Sequence, residues 1–174
     1  MRSLTLYEPV VFGMLRELAP QDTALEEIED IAASVAALVQ AGHNEDAARI
    51  FVAYGGGSRA WAQLYEGQRR ALATRVATVP RHFEALFAAR WNAGLLQCLQ
   101  MPVPLPRGSA TRASARRVSE LLAQALPHAQ CGVLPGAAHL GPITHAQTVG
   151  HWMTAHIDPV LARRFEAPAA MSLA

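Results

Sequence analysis

One stretch of this sequence concentrates its chemistry: Leu134-Pro135-Gly136-Ala137-Ala138-His139-Leu140-Gly141-Pro142. It follows a short apolar run, Gln130 to Leu134, that reads as a strand, and it precedes a helical stretch from Thr144 to Ile157. A histidine on a loop beyond the C-terminal end of a parallel strand stands where ligands bind in open α/β sheets, and imidazole is the side chain that exchanges protons near neutral pH. Taken alone, His139 reads more readily as a solvated loop histidine.

A nucleophile for such a base is harder to find. The G-x-S-x-G elbow requires a strand before the serine and a helix after it. Gly56-Gly57-Ser58-Arg59-Ala60 approximates the spacing but follows a helical stretch, so Ser58 is expected to cap the next helix. Cys98 in a helical stretch and Cys131 in a strand read as small buried hydrophobes, with no C-x-x-C spacing for zinc or a disulfide framework. His145, His151 and His156 have no carboxylate or cysteine beside them at ligand spacing, so they read as surface histidines and no metal site is expected. Gly55-Gly57 lacks the following Lys-Ser/Thr of a phosphate cradle.

These residues need a scaffold. Ser3 to Tyr7 reads as a strand ended by Pro9. A helix capped by Asp22 or Thr23 runs to about Gln40, with Leu25, Ile28, Val35 and Leu38 along its apolar face. A short helix from Glu45 to Tyr54 follows, capped by Asn44, and Gly55-Gly57 breaks it. Helices over Arg59–Ala77 and Arg81–Gln100, divided by Pro80, complete an insert spanning 13–100. From 101 to 157 the order becomes strand (Met101–Pro106), helix (Ser114–Leu126), strand (Gln130–Leu134) and helix. Strands separated by single helices imply parallel crossovers. The expected architecture is therefore one α/β domain across residues 1–174, with about three parallel strands, flanking helices and a helical insert. Pro104 and Pro106 stand out, because proline cannot donate to a ladder.

The bulk properties narrow the function classes. Fifteen Lys+Arg against fourteen Asp+Glu give a net charge of +1 over 174 residues, so no nucleic-acid partner is implied. A 51% hydrophobic and 17% charged composition argues for a packed globule over disorder. The N-terminus has neither the apolar core nor the cleavage site of an export signal, and no run is long enough to span a bilayer. A cytoplasmic protein without a membrane partner is expected.

Several of these stretches together resemble the α/β-hydrolase family. The Pro-Gly-Ala-Ala-His loop ending at His139 is similar to the family's histidine loop after the last strand. Leu4 to Pro9 resembles the strand after the nucleophile helix, Phe51 to Trp61 the aromatic, Tyr, glycine and Trp pattern of the cap, and Met101 to Gly108 a "vPvLllrG" strand. The resemblance covers roughly residues 2 to 157 and corresponds to the C-terminal half of the fold, cap plus histidine loop. It implies hydrolysis of an ester, of a carbon–carbon bond in a diketone-like substrate, or of a halide, without a cofactor. In that chemistry a histidine base activates a nucleophile and an acid fixes its tautomer. The resemblance assigns the base to His139. In most members the acid follows the strand that here ends at Gly108, yet Ser109 to Ser119 contains no Asp or Glu. Haloalkane-dehalogenase-like members carry it after the earlier strand, the place occupied by Glu8; the alternative for Glu8 is a surface or turn-capping glutamate. Trp61 is either core or, by the resemblance, part of the substrate cavity.

The half that would carry the nucleophile and the glycine-rich oxyanion loop is missing from the pattern. The expectation is a chain inactive alone, taking a small-molecule substrate only when completed by an N-terminal half, and otherwise a non-enzymatic remnant or association module. A strand at Ser3–Tyr7 without its neighbour leaves an edge open, so a homodimer or a complementing chain is expected.

Overall fold

The structure, a computed structural model, describes residues 4–157. Its elements follow in the order α1 (Gly13–Leu18), α2 (Thr23–Gln40), α3 (Asn44–Gly56), α4 (Glu66–Arg75), α5 (Val79–Ala88), α6 (Ala93–Gln97), β1 (Val103–Gly108), α7 (Ala113–Ala125), β2 (Ala129–Leu134), α8 (Gly141–Thr144) and α9 (Ala146–Ile157), with a 3₁₀ turn at Val76–Thr78 before α5. β1 and β2 pair in parallel, Val103 opposite Ala129 through Gly108 opposite Leu134. None of the described helices is long and apolar enough to cross a membrane.

The sequence expectation of three strands is corrected to a two-stranded sheet among the described residues. The prolines supply the reason. Leu4 and Leu6 donate their N–H groups to the carbonyls of Pro102 and Pro104, at 3.2 and 3.0 Å, in the alternate-residue pattern of a parallel neighbour. The return bonds of a parallel ladder would come from the N–H groups of residues 104 and 106, and proline has none. Val103, on the opposite parity, donates towards β2 through His128 O at 2.9 Å. The extended segment at Leu4–Tyr7 thus lies beside β1 as half a ladder. Ser3 lies outside the described residues.

The helices form where their apolar positions recur on one face. Asp22 caps α2, accepting from Ala24 N at 2.9 Å. Leu25, Ile28 and Val35 of α2 and Val118, Leu121 and Leu122 of α7 join Val103 and Leu105 of β1 in one buried cluster that also takes in Met14, Leu15 and Phe83. The helices before β1 therefore share a core with α7 and the sheet. A smaller cluster of Leu134, Ala137 and Val149 lies under the histidine loop.

Five local expectations are revised. The helix expected from Arg59 begins only at Glu66, because the chain turns through Ser58–Gln63, with Arg69 donating to the carbonyls of Trp61 and Ala62 at 3.1 and 2.9 Å. Ser58 is an exposed turn residue and caps no helix. The helix expected over Arg81–Gln100 is two: α5 opens with Pro80 in its first turn, where the missing N–H costs nothing, and Asn92 restarts the chain by capping α6 through Gly94 N and Leu95 N. Asn44 is the first residue of α3 with His43 at the cap position. Cys98 and Cys131, expected to be buried, are both exposed.

Candidate active site

The C-terminal ends of the Leu4–Tyr7 segment, β1 and β2 share one rim, where Glu8, Gly108–Thr111 and Gly136–His139 meet. β1 presents its even positions towards the N-terminal segment. Two of them are prolines, and the third, Gly108, donates its N–H to Glu8 Oε1 at 2.8 Å. The same oxygen accepts from the Thr111 hydroxyl. Glu8 is 1% exposed and has φ of 41°, a left-handed conformation unusual for a residue with a side chain. Such a backbone persists where surrounding contacts over-determine it, and here the carboxylate's contacts do so.

Glu8 Oε2 faces His139 Nδ1 at 3.4 Å, with the imidazole 40% exposed and the carboxylate fully buried. Neither atom has another hydrogen-bond partner. The separation is within ion-pair reach and longer than a well-formed hydrogen bond. Burial, the largest influence on Glu8, disfavours its charged form. The imidazole of His139, the Thr111 hydroxyl and the Gly108 N–H together outweigh it and hold the carboxyl below its ordinary range.

Tyr7 braces the loop, donating its hydroxyl to Ala138 O at 2.7 Å. Burial, then the neighbouring Glu8 charge, pushes the phenol up to about 12, so it remains a donor across the physiological range. Two glycines admit these contacts. A Cβ on Gly108 would meet Ala137 O at 1.9 Å, and one on Gly141 would meet the Tyr7 hydroxyl at 2.0 Å. Gly136, at φ 73°, turns the loop and donates its N–H to Ser109 Oγ at 2.8 Å.

A cavity of about 460 Å³ opens beside His139, lined by Tyr54, Gly55–Gly57, the Ala110–Ala113 loop, Glu27, Arg116, Gly136 and Ala138. The glycines at the C-terminal end of α3 keep this wall low, and a Cβ on Gly55 would approach the His139 ring at 3.8 Å. Tyr54 donates to Glu27 Oε1 at 2.7 Å and bonds Ser114 Oγ. Burial, chiefly, raises the Tyr54 phenol well above its ordinary value.

Of the residues named from sequence, Glu8 and His139 come together, whereas Trp61 is 9% exposed within the main core and does not line the cavity. Sequence reading missed Thr111 and Tyr7. A hydroxyl three residues past Gly108, in a loop lacking its acid, was the available signal for Thr111; Tyr7 offered only its adjacency to Glu8. Among the described residues no serine, threonine or cysteine side chain hydrogen-bonds His139, and no group of three or more His, Cys, Asp and Glu is placed to hold a metal ion.

No family model matches the sequence, and no curated protein matches it. Among solved structures the chain is similar to bromoperoxidase from Bacillus anthracis, with a TM-score of 0.52 and 12% identity. The alignment covers 76% of this chain and 48% of that one, so the chain spans about half the length of the solved structure it matches. The fold is thus distantly α/β-hydrolase-like.

Proposed function

We propose that the chain carries the histidine and carboxylate of an α/β-hydrolase-type site, with His139 as general base and Glu8 fixing its tautomer. The reaction is hydrolysis of an ester or related small substrate bound in the cavity beside His139. The observation that carries this reading is a buried, hydrogen-bonded, ionised carboxylate facing Nδ1 of a half-exposed imidazole on the rim where parallel strands end. With Nδ1–H directed at Glu8, Nε2 is the free lone pair, and a base with its tautomer fixed removes a proton from a hydroxyl or water. The nucleophile comes from outside residues 4–157, in an N-terminal half whose strand joins the free edge of the Leu4–Tyr7 segment. The isolated chain is accordingly inactive on short p-nitrophenyl esters.

The direct experiment is long-range ¹⁵N–¹H NMR of the His139 ring. We expect the Nδ1–H tautomer in the wild type and a shift towards Nε2–H in Glu8→Gln, whose amide can donate to Nδ1. An unchanged tautomer would remove Glu8 from its role. Esterase turnover that survives His139→Ala but vanishes with Ser58→Ala would overturn the whole site.

A further inference from the structure

The cavity beside His139 contains more positive charge than its wall uses. Arg112 is committed: Nε donates to Tyr54 O at 3.2 Å and Nη2 to Ala53 O at 3.4 Å, and the guanidinium lies 5.4 Å from the Tyr54 ring centroid. Arg116, one turn further along α7, makes no side-chain hydrogen bond or ion pair among the described residues, although it lines the same cavity. The other basic residue on that stretch, Arg117, is paired with Asp22 at 2.8 Å. Glu27 is the acid on the cavity wall, and its Oε1 is occupied by the Tyr54 hydroxyl at 2.7 Å and Ser114 N at 3.3 Å. Two guanidiniums therefore face one engaged carboxylate, with the Gly55–Gly57 wall leaving room between them and His139.

We propose that this cavity binds a small organic carboxylate, its carboxylate group on Arg116 and the remainder extending towards His139. Guanidinium presents a planar fork that matches a carboxylate in a two-point contact, and a free one at a cavity wall is an unfilled half of that pair. The volume of about 460 Å³ suits a small organic molecule rather than a polymer. In taking the cavity as the substrate site the assignment rests on the proposed function and narrows it to substrates carrying an acid group remote from the scissile bond. The anion contact itself needs only the cavity.

The test is ¹⁵N-detected titration of the full chain with benzoate, benzyl alcohol and inorganic phosphate at constant ionic strength. Benzoate is expected to shift the amides of Gly55–Gly57, Thr111 and Ala113 saturably, with benzyl alcohol weaker by roughly tenfold or more. Arg116→Ala should weaken benzoate by a similar factor, and Arg116→Lys should restore part of it, since lysine returns the charge without the fork. Arg116 is exposed, so spectra that coincide away from the cavity show that each variant is folded. Equal binding of benzyl alcohol, or an Arg116→Ala variant that binds like the wild type, overturns the assignment. Arg116-dependent binding of phosphate without benzoate overturns the choice of carboxylate. Benzoate binding together with a His139 tautomer indifferent to Glu8→Gln upholds the anion site and removes the hydrolase reading; the opposite pair of results does the reverse.

Discussion

Glu8 concentrates the site's energetics, because a buried carboxylate is tolerable only while its hydrogen bonds compensate for lost water. The Thr111 hydroxyl is one of these, so Thr111→Val should raise the Glu8 pKa, read by ¹³C titration of the side-chain carboxyl. The sign for stability follows from the direction of the wild-type shift. A carboxyl held below its ordinary value of 4.5 stabilises the fold fully above that pH and ceases to as the pH falls through its lower folded value. Denaturant unfolding of the wild type should therefore lose stability in that acid window more steeply than Glu8→Gln does. The two residues of the pair were legible in sequence through the family resemblance, which set each after a strand. Thr111 and Tyr7 were not, since their bonds close over 103 and 131 residues and no local pattern encodes a partner that distant.

At the level of elements, periodicity revealed α2 and α7, whose apolar faces decide their burial, and the α7–β2 crossover. It did not reveal where the helices before β1 break, because those breaks are set by single capping contacts such as Asn92 with Gly94 N and by carbonyls held by Arg69. The strand at the N-terminus was read from its apolar alternation, while the missing N–H groups that halve its ladder belong to a neighbour about a hundred residues away. Restoring one tests that account. Pro106→Val places an N–H opposite Leu6 O, and hydrogen exchange should show the new amide at position 106 protected, as befits a ladder donor. An amide exchanging as fast as an exposed loop would show that the half-ladder has another cause. The crossing of Gly108 with the histidine loop is tighter. Gly108→Ala puts a methyl carbon into Ala137 O and should cost roughly 1–3 kcal/mol by chemical denaturation, as overpacking does, with the Glu8–His139 register lost alongside.

For the whole molecule the unsettled surface is the outer edge of the Leu4–Tyr7 segment. Leu4 and Leu6 direct their N–H groups to β1, so Thr5 and Tyr7 direct theirs away, and neither has a backbone partner among the described residues. The Thr5 hydroxyl is buried and unbonded as well. Unpaired donors on an extended segment flanked by half-buried leucines form a template for another strand, and no lysine or proline within the segment blunts it. We therefore expect association at this edge, by self-pairing or with a complementing chain, visible in sedimentation of the purified protein as a mass that rises with concentration. Leu6→Lys should shift the population towards monomer. Because Leu6 also packs on the core, Thr5→Pro is the cleaner variant: it deletes the outward N–H and leaves the Leu4 and Leu6 bonds to β1 in place, in a backbone already extended before it. A wild type that stays monomeric and unfolds cooperatively across micromolar concentrations would show that the edge is covered from within the chain. The complementing-strand part of the functional proposal would then fall, while the pairing of Glu8 with His139 on the opposite side of that segment's last residue would stand unaffected.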